Sequence, residues 1–195
     1  MFTPNAYGMF SMPTLETKRL ILRRIAMSDA KDIFAYSKDA EVARHVLWSA
    51  QKDVCEAKDY CRFMMKRYRC DQPSSWGIIE KATGRLVGTI GYMDHNEDNA
   101  TVEVGYSLAR WLWNGGYMTE ALERVIGHTF DVMEFNRIEA QHETTNPSSG
   151  RVMEKCGMQK EGVLRQRLYN KGHYVDVALY AILESDYDKM KEQAR

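Results

Sequence analysis

Between Thr101 and Gly157 the spacing of apolar residues changes period repeatedly, and that order constrains the fold more than any other feature of the chain. "TVEVGYSL" alternates as a strand does, and after a short turn Met118, Ala121, Leu122, Val125, Ile126, Thr129, Phe130 and Met133 recur at helical spacing. "NRIEAQHET" returns to a strand, and "NPSSGRVMEKCG" reads as a short helix with Asn146 at its cap, Pro147 at the first helical position and Gly157 past its end. A strand that crosses through a helix to a neighbouring strand is joined by a right-handed connection, which places the two strands parallel. The rest of the sheet reads as antiparallel. "RLILRRI", "SWGIIEK" and "LVGTIGYM" precede "TVEVGYSL", with turn residues in "ATGR" and "DHNEDNA", and "VLRQRLYNKGHYVDVALYAIL" is a hairpin turning at Asn170-Lys171-Gly172. Two further helices are expected, from Ser28 and Asp29 to Ser37 and from Asp53 to Tyr68. The expected class is therefore mixed α/β, with a mostly antiparallel seven-stranded sheet flanked by about four helices.

A chain of 195 residues is long enough for one sizeable core and short for two. Its 27 basic and 27 acidic residues cancel and neither sign is gathered into a run, which argues against a nucleic-acid partner. "MFTPNAYGMFSMP" has neither the basic start nor the apolar stretch of a signal peptide, and no window approaches the ~20 apolar residues of a membrane span. Cys55, Cys61, Cys70 and Cys156 form no C-x-x-C pair and no zinc spacing, so they read as small core residues of a reduced, cytoplasmic protein that binds no metal.

The turn entering the long helix, "WLWNGGYMTEAL", joins two tryptophans to a paired glycine. A glycine-rich turn feeding a helix exposes several backbone N–H groups at the positive end of the helix dipole and can hold a phosphate without a cation. Asn114, Gly115 and Gly116 suit that geometry because none strongly resists positive φ. The turn lacks the lysine of a triphosphate loop and the G-x-G-x-x-G of a dinucleotide site. A pyrophosphate held without Mg²⁺ and an ordinary turn into a packed helix both remain open at this point.

"VEVGYSLARWLWNGGYMTEAL", "FNRIEAQHETTNPSSGRVMEKCGMQKEGVLR" and "GHYVDVALYAIL", in that order, resemble the GNAT superfamily of acetyl-CoA-dependent N-acetyltransferases, in particular its RimJ/RimL-like branch. The resemblance runs from about Leu15 to Tyr187, leaving 1–14 as an N-terminal extension and 188–195 as a tail. It implies a sheet splayed between its fourth and fifth strands, with acetyl-CoA in the opening. It further implies that pantetheine pairs with backbone at Leu108, Ala109, Arg110 and Trp111. The pyrophosphate would sit on Trp113, Asn114, Gly115, Gly116, Tyr117, Met118 and Thr119. The superfamily's Q/R-x-x-G-x-G/A is matched only at Gly116, whereas the branch's "WGKGYMTEA" fits at Trp113 and "GYMTEA", with Asn114 in place of a glycine. Asparagine enters the left-handed region more readily than most residues, so the turn is expected to survive.

Acetyl transfer to an amine needs a deprotonated nucleophile, a donor to the carbonyl oxygen as it gains charge, and a proton for the departing thiolate. The resemblance places the oxygen's donor on the fourth strand, near Leu108 or Ala109. Asn146 and Ser149 match the branch's N-x-x-S, in which the serine contacts the cofactor sulfur, although both residue types also cap helices. The tyrosine acid of other GNAT enzymes would fall at Met153 and does not carry over. Alternation puts Glu103 on the strand face opposite Val102, Val104 and Tyr106, where it is a candidate base acting through water. The base used by some ribosomal-protein acetyltransferases would fall at Leu168, which cannot serve. Glu139, His142 and Glu143 read as solvated or hydrogen-bonded residues, and His95, His128 and His173 lack a partner at a telling spacing. Trp48, in a segment that the resemblance puts beside the acceptor pocket, is the expected substrate contact.

The function this implies is transfer of an acetyl group from acetyl-CoA to a primary amine, either a protein N-terminus or a small amine such as an antibiotic, polyamine or amino acid, by direct attack in a ternary complex. A homodimer is compatible with the resemblance. A catalytically silent CoA-binding module is the alternative from another class, and thiol release with amines separates the two.

Overall fold

The computed structural model describes residues 8–193. Its sheet has eight strands: β1 (Leu15–Glu16), β2 (Leu20–Arg24), β3 (Ser75–Glu80), β4 (Leu86–Asn96), β5 (Thr101–Leu108), β6 (Arg137–Glu143), β7 (Gln159–Asn170) and β8 (His173–Leu183). Their order is β1-β2-β3-β4-β5-β6-β8-β7. Every pairing is antiparallel except β5 with β6, the pair expected from the crossover. The helices are α1 (Ala30–Ser37), α2 (Ala40–Ala43), α3 (Val54–Arg69), α4 (Tyr117–Met133), α5 (Pro147–Lys155) and α6 (Glu184–Gln193).

The sequence expectation of seven strands and four helices misses β1, α2 and α6. Each carries too little pattern to be read. β1 has two residues, α2 is one turn capped by the Asp39 carboxylate on the Glu41 amide, and α6 buries none of its residues and so lacks an apolar stripe. Residues 8–14 contribute Phe10 and Met12 to the core, and α6 runs across the tail boundary at 187. Residues 1–7 of the expected extension and 194–195 of the tail lie outside the described residues. No helix among the described residues is long and apolar enough to cross a membrane.

The long helix forms as its spacing requires: α4 buries Met118, Ala121, Leu122, Val125, Ile126, Thr129 and Phe130. Fully burying a side chain such as Leu122 contributes about 1.5–3 kcal/mol. The Thr129 hydroxyl lies 2.7 Å from that of Tyr92 on β4, which fixes α4 on the sheet face that also carries Val104 and Tyr106. The opposite face carries α1 and α3, with Tyr36 of α1 buried where that helix packs on β4. α3 starts where Asp53 accepts from the amides of Cys55 and Glu56, at 2.7 and 3.1 Å.

β5 and β6 pair only through Thr101, Val102 and Glu103 against Arg137, Ile138 and Glu139. Beyond that point β6 continues along β8 as far as Glu143, and the end of β5 from Val104 to Leu108 parts from it. Because β1 adds a strand at the edge, this opening is the expected splay between the fourth and fifth of the seven longer strands.

Candidate functional site

The splay opens into a cavity of about 350 Å³, within the ordinary range for a ligand site. It runs from α2 and the segment after it, past the end of β5, to the N-termini of α4 and α5.

At the α4 end the glycine turn adopts the anticipated geometry. Asn114 has φ of 61° and Gly116 has φ of 74°, both left-handed. Gly116 is the N-cap of α4 and no side chain caps the helix, so its first-turn amides are free of intrahelical partners and face a cavity lined by Gly116, Tyr117, Met118 and Thr119. A buried anion would satisfy them without a metal, and a pyrophosphate fits this set of donors.

One residue that the sequence reading did not single out braces the turn. Arg19, just ahead of β2, donates from Nη1 to the Gly115 carbonyl at 2.9 Å and lies 4.0 Å over the Tyr117 ring. Its Nε and backbone amide both donate to the Glu120 carboxylate, at 2.6 and 2.7 Å, and the Thr17 hydroxyl donates to the same carboxylate at 2.6 Å. Burial pushes the Glu120 carboxyl up, and the bonds from Thr17 and Arg19 outweigh it, leaving the group below the usual carboxylate range.

Of the residues expected to hold the cofactor, Leu108, Trp113, Asn114, Gly116, Tyr117, Met118, Thr119, Asn146 and Ser149 line the cavity, while Ala109, Arg110, Trp111 and Gly115 do not. Three of the four have another partner and the fourth faces outward. Ala109 is buried with its amide donating to the Val87 carbonyl at 2.8 Å, and Arg110 pairs with Asp39 at 2.8 Å. Trp111 is 58% exposed, and the Gly115 carbonyl is taken by Arg19. The Ala109 bond also narrows the expected donor on the strand. Backbone groups alternate in direction along a strand, so Leu108 points the other way, into the splay. The Leu108 carbonyl accepts from the Trp113 indole Nε1 at 2.8 Å, which gives that tryptophan a role beyond packing.

At the start of α5 the Ser149 hydroxyl donates to the Tyr106 hydroxyl at 3.0 Å, and Tyr106 donates in turn to the Ser149 carbonyl at 3.0 Å. Burial raises the Tyr106 hydroxyl well above its ordinary range, so it keeps its proton. Asn146 stands at the N-cap as expected, yet its side chain makes no capping bond.

Glu103 stands apart from the cavity lining. Its Oε1 accepts from Gln141 Nε2 at 2.8 Å across the foot of the splay, and burial holds its carboxyl above the usual range. Trp48 is a second displaced expectation: it packs against the core, and it is Val46, two residues earlier, that lines the cavity. A large aromatic is drawn to the core by the area it buries, and sequence position alone does not reveal that choice.

The far end of the cavity holds the histidine the sequence reading passed over. His45 lines the cavity, with Nδ1 2.9 Å from Glu143 Oε2. Glu143 is buried and its Oε1 accepts from Asn170 Nδ2 at 2.5 Å. Burial pushes this carboxyl up, and the bonds from His45 and Asn170 outweigh it, so it stays below the usual range. The pair joins residues 98 apart in the chain, so spacing offered no signal for it.

Residues 19–159 match the family described as Acetyltransferase (GNAT) domain. An uncharacterized N-acetyltransferase, p20 of Bacillus licheniformis, is 33% identical over 176 residues, which cover 90% of this chain and 99% of that protein. The crystal structure of a GNAT-family acetyltransferase from Bacillus anthracis superposes with a TM-score of 0.79 at 25% identity, covering 89% of this chain and 99% of the other. The ribosomal-protein-S5-alanine acetyltransferase of Vibrio fischeri shares the fold, with a TM-score of 0.75 at 22% identity over 90% of this chain and 98% of its own.

Proposed function

The chain belongs to the GNAT family of acetyltransferases, and from that premise we propose that it acetylates a primary amine by direct attack of the amine on acetyl-CoA in a ternary complex. The observation that carries this reading is one cavity with three kinds of group along it: free helix amides, the Leu108 backbone with the Tyr106–Ser149 pair, and a histidine.

In this reading the turn from Trp113 to Thr119 holds the pyrophosphate and the end of β5 aligns the pantetheine arm, with Leu108 as the strand's contribution. The Leu108 amide points into the splay, where it would donate to the thioester oxygen as charge develops there. The Ser149 hydroxyl, at the positive end of α5, would turn its proton from the Tyr106 oxygen to the departing sulfur and lower the cost of its release, while Tyr106 keeps its own proton, donated to the Ser149 carbonyl. Glu103 would reach an acceptor only through water, because it lies outside the cavity lining. Acceptors compatible with the site are protein N-termini and small aliphatic amines; the Vibrio fischeri protein is named for an alanine of ribosomal protein S5. A cytoplasmic setting, a homodimer and a catalytic domain bounded at 15–187 belong to the same proposal.

The test is thiol release from acetyl-CoA with peptides beginning with Ala, Ser or Met, with spermidine and with aminoglycosides, alongside thermal shift. Acetyl-CoA should raise the melting temperature where ATP does not. Stabilisation by ATP alone, or CoA binding without thiol release across the panel, would remove the assignment.

A further inference from the structure

We propose that His45, oriented by Glu143, is the group that takes the proton from the acceptor amine, and that the acceptor therefore enters as a cationic aliphatic ammonium. The proposal rests on the acetyl-transfer reading and adds the base that reading lacks.

Geometry singles out His45. It lines the same cavity as Leu108, Tyr106 and Ser149, and the groups its ring meets come from the end of β6 and the turn after it, not from the α4 turn. Its ring is held from behind. Nδ1 faces Glu143 Oε2 at 2.9 Å, and the Thr145 hydroxyl lies 3.4 Å from both Nδ1 and Glu143 Oε2. Asn170 holds the other carboxylate oxygen. The hairpin turn that carries Asn170 also secures the histidine's own segment, since Lys171 Nζ donates to the Val46 carbonyl at 2.5 Å. Two remote segments, the end of β6 and the hairpin turn, thus converge on the histidine's own to fix one imidazole.

The chemistry follows from the direction of the Glu143 bond. A carboxylate with its two oxygens engaged can only accept, so the imidazole places its proton on Nδ1 and leaves the Nε2 lone pair for a substrate. An aliphatic ammonium, with a pKa of about 8 to 10, is mostly protonated near neutrality and cannot attack a carbonyl in that form. His45 Nε2 would take one proton from the ammonium and return it to solvent. The freed nitrogen lone pair attacks the thioester carbon, the C–N bond forms and the C–S bond breaks. The second proton of the attacking nitrogen passes to the departing sulfur, giving the thiol to which Ser149 donates. Atoms and charge balance with no further reactant.

A clamp that merely ties the α2 segment to β6 would produce the same contacts, so the decisive variant keeps the clamp and removes the base. In His45→Gln the side-chain amide can still donate to Glu143. With the full chain, acetyl-CoA and the amine turned over best by the wild type, His45→Gln should lower kcat by roughly 100-fold while leaving the Kd for acetyl-CoA unchanged. Raising the pH toward the acceptor's own pKa should close that gap, because free amine then no longer depends on the base. The charged groups near the ring and along its cavity are Glu143 at the end of β6, Lys171 in the hairpin turn, Glu41 and Arg44 on its own segment, and Arg151 and Lys155 on α5, and none is altered by this substitution. Imidazole added to His45→Ala should restore part of the rate, and Glu143→Gln, acting through the orientation of the ring, should cost about tenfold in kcat. Wild-type kcat in His45→Gln, or a loss that is constant with pH and unrescued by imidazole, would overturn the base. Absence of thiol release by the wild type with every amine would overturn the acetyl-transfer reading and the base together.

Discussion

The two ends of the cavity are built in opposite ways. At the α4 end, contiguous residues from Trp113 to Thr119 form the site largely from backbone, through left-handed φ at Asn114 and Gly116 and the uncapped start of a helix. At the other end the groups are side chains from three separate places, with 98 residues between His45 and Glu143 and 27 between Glu143 and Asn170. A backbone site suits a phosphate that needs only aligned amides, whereas proton transfer needs a titratable group, and such groups are held by whichever partners the fold delivers. Damage at the first end should therefore appear in cofactor affinity and damage toward the second in turnover.

The sharpest break of that contrast is Gly116→Val. A Cβ there would meet only Arg19 Nη2, at 3.6 Å, so space is available and the cost is conformational. A β-branched residue at φ of 74° is a genuine outlier, and the turn should relax out of the left-handed region and misalign its amides. We expect acetyl-CoA to bind roughly 100-fold more weakly by calorimetry, equivalent to about 2.7 kcal/mol, with helical content retained by circular dichroism. Unchanged affinity would mean that the turn does not hold the pyrophosphate.

The middle of the cavity divides the two effects. Ser149→Ala should lower kcat by about tenfold to a hundredfold with acetyl-CoA affinity preserved, as expected of a donor that matters only while the sulfur departs. Tyr106→Phe removes the hydroxyl to which Ser149 donates, and should cost less because the serine remains. If the two act as a unit, the double variant in stopped-flow thiol release will be little worse than Ser149→Ala alone.

The same contrast explains what could be read from the chain. The crossover and the backbone geometry of the glycine turn were legible because they depend on residues near one another, through the periodicity of α4 and the conformational tolerance of Asn114 and Gly116. The six-residue β3 and eight-residue β5 were legible because alternation or a continuous apolar run marks them. The His45–Glu143–Asn170 cluster was not legible, since no local pattern encodes a contact formed only when a hairpin turn meets the segment after α2. Trp48 and Glu103 mark the boundary between the two cases. The resemblance puts Trp48 near the site and alternation puts Glu103 there, yet Trp48 packs half-buried against the core and Glu103 lies beside Gln141. Arg19 is an intermediate case: its position is plain, but its contact with Gly115, 96 residues away, needs the fold.

Arg19→Ala tests how far the backbone end depends on such a remote brace. The guanidinium binds the Gly115 carbonyl and the Glu120 carboxylate together and covers the Tyr117 ring, a geometry that lysine's single ammonium cannot reproduce. We expect the Kd for acetyl-CoA to rise about tenfold in Arg19→Ala, with kcat at saturating cofactor unchanged and little recovery in Arg19→Lys. A fall in kcat instead would mean that the brace positions the reacting groups and that the two ends are less independent than their construction suggests.

The smallest effect should come from Glu103→Gln, which separates a buried carboxyl from a working base. Burial, opposed by the bond from Gln141 and reinforced by Glu139 and Asp94, holds this carboxyl above its ordinary range, so the folded state favours its neutral form. The penalty is present when the pH is above the folded-state value and is relieved as the pH falls through it. Glutamine keeps the shape and an oxygen to accept from Gln141 without the charge. The variant should melt roughly 1–3 °C higher than the wild type at pH 7, and the difference should shrink as the pH is lowered into the carboxylate range. Its kcat should fall by no more than about threefold, against the roughly 100-fold expected for His45→Gln. The opposite ranking of those two variants would place the proton acceptor at the foot of the splay, and the residues gathered at the far end of the cavity would then be a clamp.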